Sequence, residues 1–150
     1  MPKIPNTKFI FNWVLTNKIG IGTPLRSKED VILLKKKKIK SILSLCSNTA
    51  LDHNLHINFE QKTYQLPDHR SGSCPSINQI RQIIKIIEEL IIEGPLFIHC
   101  EASVERSPLI CIAWLVSKEG IPLEHAVSYL REVHPNSNPH FDQLEVLKNI

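Results

Sequence analysis

The fold is decided by the stretch Leu96-Phe97-Ile98-His99-Cys100-Glu101-Ala102-Ser103-Val104-Glu105-Arg106-Ser107-Pro108. Residues 96–99 have the length and the largely apolar character of a buried strand. Residues 109–116 are apolar on every side of a helix, so that helix must be central and buried. A turn from a strand into a helix therefore lies between them.

The rest of the chain alternates between strand and helix patterns. Strands are predicted within residues 9–21, 41–46 and 59–66, and helices at about 27–38, 75–93, 123–133 and 141–147. Gly20, Gly22 and Pro24 are expected to mark the turn after the first strands. The alternation favours an α/β fold, with residues 1–150 forming one three-layer domain whose central, mainly parallel sheet is flanked by helices.

Composition narrows the function classes. Of the 150 residues, 42% are apolar and 22% charged, with a net charge of +3, which suits one globular domain and an anionic ligand without indicating nucleic acid. The four cysteines are widely spaced, which predicts separate reduced thiols rather than a disulfide framework. No apolar stretch approaches the roughly 20 residues of a membrane span. We therefore expect a soluble, cytoplasmic protein without membrane association.

The turn between strand and helix carries the candidate chemistry. In such a turn, successive backbone N–H groups and the positive end of the following helix point toward an anion, and a phosphate fits that concavity. Arg106 can close the loop with a planar, two-pronged donor. The positive electrostatic field of the backbone N–H groups, the helix N-terminus and Arg106 would also stabilise the thiolate of Cys100, which is the nucleophilic form. The alternative is that Cys100 is a small apolar filler at the end of the strand.

Phosphoryl transfer to sulfur also needs a carboxylic acid, because the departing oxygen requires a proton. Asp68 is the candidate, since it directly follows a predicted strand and so belongs at the edge of the sheet where α/β sites form. Its alternative role is that of an ordinary turn residue after Pro67. Beside the thiol, His99 is expected to fix the loop through a hydrogen bond and to tune the thiol, rather than to transfer protons.

Together, His99, Cys100, Arg106 and Ser107 resemble the signature H-C-x-x-G-x-x-R-[ST] of the dual-specificity branch of the cysteine-dependent protein tyrosine phosphatase superfamily. The resemblance covers nearly the whole chain, and Asp68 stands at about the family's usual separation from the cysteine. It implies hydrolysis of phosphate monoesters in proteins, on tyrosine and on serine or threonine. It further implies that neither metal nor cofactor is required. We also expect a monomer.

The resemblance also implies roles for individual residues. Cys100 would form a phosphocysteine, Asp68 would protonate the leaving group and then activate water, and Arg106 would bind the phosphate oxygens. Ser107 would assist the thiolate as a leaving group, or would only cap the helix. The substrate phosphate would be held by the loop residues His99, Glu101, Ala102, Ser103, Val104, Glu105 and Arg106.

The other cysteines have different expected roles. Cys46, at the end of its strand, resembles a cysteine that in several relatives forms a reversible disulfide with the nucleophile, and Cys74 is a second candidate. The alternative for Cys46 is a buried spectator. Cys111 lies in the apolar helix and is expected in the core.

Two departures from the family pattern bear on activity. Ser103 stands where the family usually has glycine, and a side chain there costs about 1 kcal/mol or more if φ is positive. Glu101 and Glu105 would repel phosphate if their carboxylates faced the pocket. These departures keep open a pseudophosphatase that binds phosphorylated partners without hydrolysing them. A third class, sulfur transfer or arsenate reduction, also uses cysteine loops.

Overall fold

The computed structural model describes residues 8–46, 53–67 and 73–150 of the chain. In these ranges the strands are β1 (Phe11–Leu15), β2 (Ile19–Gly22), β3 (Ser41–Ser44), β4 (Glu60–Thr63) and β5 (Leu96–His99). The helices are α1 (Lys28–Lys36), α2 (His53–His56), α3 (Ile77–Leu90), α4 (Arg106–Ser117), α5 (Leu123–Val133) and α6 (Phe141–Val146), followed by a 3-10 turn at Leu147–Asn149.

Strand β5 lies at the centre of the sheet, whose order is β1-β2-β5-β3-β4. It runs parallel to β2 and β3, and β4 runs parallel to β3, while β1 forms an antiparallel hairpin with β2 at the edge. A strand with parallel neighbours on both sides needs cover on both faces, and all of β5 is buried. The predicted α/β fold with a mainly parallel sheet is confirmed.

Side chains alternate along β5 and so build a core on each face of the sheet. Leu96 and Ile98 join the larger cluster, to which α3, α4 and α5 contribute. Phe97 belongs to the opposite cluster, with Val31 and Leu34 of α1. The sheet is therefore the middle of three layers.

Helix α4 is the buried helix that its apolar sequence predicts. Every residue from Arg106 to Leu115 is buried. The helix begins at Arg106 with Glu105 at its N-cap, so Ser107 lies inside the helix and does not cap it. Within the ranges that the structure describes, no helix combines the length and apolar character needed to cross a membrane.

The first hairpin differs from its prediction in the position of its turn. Residues 16–18 connect β1 to β2, and Asn17 has a left-handed φ of 62°. Gly20 and Gly22 lie within β2 instead. Gly22 is needed there for close approach, because a Cβ atom would lie 1.8 Å from the carbonyl oxygen of Ile10. Helix α2 is not predicted from the sequence, because its four residues are too few to show a helical period.

We expect Gly22→Ala to lower the free energy of unfolding by at least about 3 kcal/mol, because the new methyl group would overlap backbone atoms. Gly120→Ala is the control, since nothing lies within 4 Å of a Cβ atom there and only the φ of 70° is strained. Its expected cost is about 1–2 kcal/mol. Urea unfolding measures both, and equal losses would contradict the close-approach explanation.

Candidate active site

Cys100 directly follows the central strand and is buried at the point where the chain turns into α4. The preceding residue, His99, is paired with Gly22 of β2 and Ser44 of β3, so neighbouring strands fix the end of β5 on both sides. The chain then bends through residues 101–105 before α4 begins. The thiol thus lies between the end of a strand and the N-terminus of a buried helix, which is the arrangement that the sequence predicts.

The guanidinium group of Arg106 reaches back to the carboxyl ends of the neighbouring strands. Its Nη1 donates long hydrogen bonds to the carbonyl oxygens of Leu45, at 3.5 Å, and Leu66, at 3.4 Å. These residues follow β3 and β4, so the arginine is fixed from two further strands. Its side chain is 8% exposed. The guanidinium group is therefore held at the carboxyl ends of the strands, at the same edge of the sheet as the Cys100 thiol.

The two loop carboxylates have different partners. Glu101 Oε1 accepts from Arg106 Nη2 at 3.1 Å, and the side chain of Glu101 is 53% exposed. Glu105 Oε1 accepts from Gln143 Nε2 of α6 at 3.3 Å. The sequence leaves open where these two carboxylates point. In the structure Glu101 pairs with Arg106, whereas Glu105 contacts α6.

Ser103 has a φ of 58° and is fully buried. This left-handed conformation costs a non-glycine residue about 1–2 kcal/mol. Two contacts offset that cost, because Nε2 of His134 lies 2.8 Å from the carbonyl oxygen of Ser103 and 3.0 Å from its Oγ. The other ring nitrogen, Nδ1, accepts from Nδ2 of Asn12 at 2.8 Å.

Residues 134–143, which we call the loop brace, hold three consecutive residues of the turn. His134 contacts Ser103, the N–H of Asn138 donates to the carbonyl oxygen of Val104 at 2.8 Å, and Gln143 contacts Glu105. Sequence reasoning missed the roles of His134 and Asn12. They are far apart in the chain and carry no recognisable motif, so only the folded structure brings them together.

His99, directly before Cys100, and Ser107, in the first turn of α4, are both fully buried. Among the described residues, the hydroxyl of Ser107 has no hydrogen-bond partner. His99 Nδ1 lies 3.4 Å from the carbonyl oxygen of Cys100, and its ring centroid lies 5.9 Å from that of Phe97. The predicted roles of both residues in the reaction stay predictions.

The remaining cysteines are free thiols in distinct surroundings. Cys46 is buried beyond the end of β3, with its Sγ 3.4 Å from Ser44 Oγ. Burial raises the pKa of the Cys46 thiol, which the Ser44 hydrogen bond opposes and the charge of Cys100 reinforces. Cys111 is buried in α4 as expected, whereas Cys74 is half-buried. A disulfide between Cys46 and Cys100 stays a prediction.

The predicted general acid, Asp68, lies outside the described residues. The described chain ends at Pro67, one residue before it, and Leu66 contacts Arg106 through its carbonyl oxygen. Leu66, two residues before Asp68, therefore lies beside Arg106.

Comparison with known proteins places this geometry in a family. The family described as dual specificity phosphatase, catalytic domain, matches residues 25–150. Dual specificity protein phosphatase PHS1 of Arabidopsis thaliana is 29% identical over 135 residues, which are 88% of this chain and 14% of that protein. Dual specificity protein phosphatase 5 of Rattus norvegicus is 26% identical over 104 residues, 69% of this chain and 26% of that protein. The chain thus spans about a quarter or less of these relatives' lengths.

Solved structures agree on the fold. The crystal structure of Tk-PTP in the active form superposes with a TM-score of 0.78 at 22% identity, over 93% of this chain and 94% of that one. A mouse putative dual specificity phosphatase superposes with a TM-score of 0.79 at 15% identity, over 99% of this chain and 91% of that one. At these identities the likeness concerns the fold alone.

Burial lowers the pKa of His134 from its ordinary value of 6.5, which the backbone hydrogen bond to Ser103 partly opposes. Below about pH 6.5 the unfolded chain therefore binds more protons at this residue than the folded chain. The stability contributed by neutral His134 is complete above that pH and is lost as the pH falls. In urea titrations we expect His134→Gln to lose less unfolding free energy than the wild type between about pH 7 and 5. An equal fall in both proteins would contradict the buried, neutral imidazole.

Proposed function

Because the chain belongs to the dual-specificity phosphatase catalytic-domain family, we propose that it hydrolyses phosphate monoesters through a phosphocysteine on Cys100. The thiolate attacks phosphorus and the ester oxygen departs with a proton from Asp68. Asp68 then removes a proton from water, which attacks the phosphocysteine and releases inorganic phosphate and the thiolate. The reaction needs no redox partner, because every bond is formed and broken with its electron pair.

The single observation that carries this proposal is the joining of nucleophile and cation in one strand-to-helix turn. Cys100 ends the central strand, Arg106 begins the buried helix, and the guanidinium group is held on the same side of the sheet. The N–H groups of a helix N-terminus and a planar arginine fork both complement the oxygens of a transferring phosphoryl group.

Ser107 has a proposed role in the second step. Its hydroxyl is buried in the first turn of α4 and has no hydrogen-bond partner among the described residues. A buried hydroxyl without a partner costs about 1–3 kcal/mol. Donation to the Cys100 thiolate as it departs from phosphorus would offset that cost and assist the hydrolysis.

Phosphorylated proteins are the proposed substrates, with phosphate on tyrosine and on serine or threonine; the relatives' names, dual specificity protein phosphatases, support this substrate class. Residues 101–105 contain no lysine or arginine, which suits a singly phosphorylated side chain better than a highly charged phosphoinositide. We also propose that the protein acts as a monomer in the cytoplasm.

A second candidate is a pseudophosphatase that binds phosphorylated partners without turnover. Two observations favour it: Ser103 adopts the left-handed conformation in place of glycine, and Glu101 occupies one arm of Arg106. This candidate predicts binding of phosphate together with undetectable hydrolysis.

The proposal is tested with two aryl phosphates whose leaving groups differ in acidity. We expect Cys100→Ser to abolish hydrolysis of both, and Cys74→Ser, the control thiol, to retain it in reducing buffer. Asp68→Asn should lose more activity on the poorer leaving group, by about 10²-fold or more, because that oxygen needs the proton.

Hydrolysis that persists in Cys100→Ser would overturn the phosphocysteine mechanism. Phosphate binding without turnover in the wild type would favour the pseudophosphatase. Equal, small effects of Asp68→Asn on both substrates would point to the sulfur-transfer or arsenate-reduction class instead.

The contact of Glu101 with Arg106 generates a separate test. We expect Glu101→Gln to bind inorganic phosphate about two- to fivefold more tightly in calorimetry. The Glu101 carboxylate is largely exposed, and an ion pair screened by solvent is worth at most about 1 kcal/mol. Glu105→Gln is the matched control. Glu105 contacts Gln143 of α6, and the amide that replaces its carboxylate can still accept that hydrogen bond, so the phosphate affinity of this variant should change less. Equal tightening in both variants would indicate a general charge effect.

A further inference from the structure

Ser103 is held in its left-handed conformation by groups from two distant parts of the chain. His134, which follows α5, contacts both the carbonyl oxygen and Oγ of Ser103 through one ring nitrogen, at 2.8 and 3.0 Å. Asn12 of β1 contacts the other ring nitrogen at 2.8 Å. Ser103 and His134 are both fully buried, so water cannot take over these hydrogen bonds.

The chemistry of the partners fixes one protonation state of the imidazole. The Ser103 carbonyl oxygen can only accept, so Nε2 of His134 must carry hydrogen. The amide nitrogen of Asn12 can only donate, so Nδ1 must be the bare nitrogen. The neutral tautomer protonated on Nε2 satisfies both contacts, which means that Asn12 orients His134 toward the loop.

The conformation of Ser103 matters because it shapes the loop. A left-handed residue within a short run of backbone turns successive N–H groups toward one point, and this creates a concavity for an anion. Glycine reaches that conformation without a steric penalty, whereas serine needs compensating contacts. The hydrogen bonds from His134 act on the backbone of this residue itself.

We propose that His134, oriented by Asn12, is a positioning residue that keeps the loop in its phosphate-binding shape and thereby compensates for serine at position 103. The proposal rests on the proposed function, in that the loop is taken to bind the phosphate of a monoester. It assigns no contact between His134 and substrate. It predicts that the need for His134 depends on the identity of residue 103.

The test is a double-mutant cycle on Ser103→Gly and His134→Leu, with kcat and KM for an aryl phosphate and the inhibition constant of inorganic phosphate as readouts. We expect His134→Leu to lower kcat/KM and weaken phosphate inhibition by about tenfold in the wild-type background. In the Ser103→Gly background the same substitution should change either value by less than about twofold, because glycine needs no brace. Equal losses in both backgrounds would overturn the proposal, since a merely structural histidine would be required whichever residue stood at 103.

A conservative variant and an upstream variant extend the test. His134→Gln, whose side-chain amide can donate to the Ser103 carbonyl, should retain more activity than His134→Leu. Asn12→Ala should reduce kcat/KM in the same direction and lose its effect in the Ser103→Gly background. If His134→Leu fails to fold, the Asn12→Ala cycle decides alone, and an effect that is equal in both backgrounds would overturn the proposal.

Failure of the proposed function is distinguishable from failure of this inference. If the wild type hydrolyses no aryl phosphate, the same cycle is measured on the dissociation constant of inorganic phosphate. If phosphate binding is also absent, crystal structures of the wild type and His134→Gln or Asn12→Ala are compared. Departure of Ser103 from the left-handed region in a variant would support the positioning role, and an unchanged Ser103 in both variants would overturn it.

Discussion

The constraint on which the structure depends is the turn between a buried strand and a buried helix. The first N–H groups of any helix have no partner within the helix, and here the helix is α4, which is enclosed on all sides. Its N-cap residue, Glu105, makes no side-chain capping hydrogen bond and contacts Gln143 instead. An anion in the loop would lie at the positive end of this helix, which is the basis of the proposed phosphate site.

Support for this turn comes from almost every layer of the fold. Parallel pairing with β2 and β3 fixes the end of β5, and the carbonyl oxygens of Leu45 and Leu66 orient Arg106. From the other side, the loop brace contacts three consecutive loop residues. The shape of the turn is thus maintained by contacts from several elements of the fold, as a preorganised anion site requires.

Much of this arrangement can be predicted from the sequence because it rests on local patterns. The apolar run of residues 109–116 identifies a buried helix, and the order of strands and helices gives the fold class. The same local patterns predict that Cys100 and Arg106 lie in the turn between the strand and the helix. The left-handed φ of Ser103 could also be suspected, because glycine is usual at that position of the motif.

Other features could not be predicted because they depend on contacts between distant residues. Asn12 and His134 are 122 positions apart, and only the packing of β1 beside the end of α5 brings them together. The reason for Gly22 is likewise a backbone approach across the hairpin, where the sequence alone suggested a turn. Glu101 points toward Arg106 because the two side chains form a hydrogen bond. Their separation of five positions in the sequence does not predict that contact.

The most direct measurement of the central claim is to trap the covalent intermediate. The protein is mixed with an aryl phosphate, quenched in acid within milliseconds, digested, and examined by mass spectrometry for a phosphorylated peptide. A phosphoryl group on Cys100 is expected, bound through sulfur and absent from the Cys100→Ser variant. Substrate turnover with no phosphorylated peptide, or with the phosphoryl group on another residue, would contradict the claim that this turn presents Cys100 as the nucleophile.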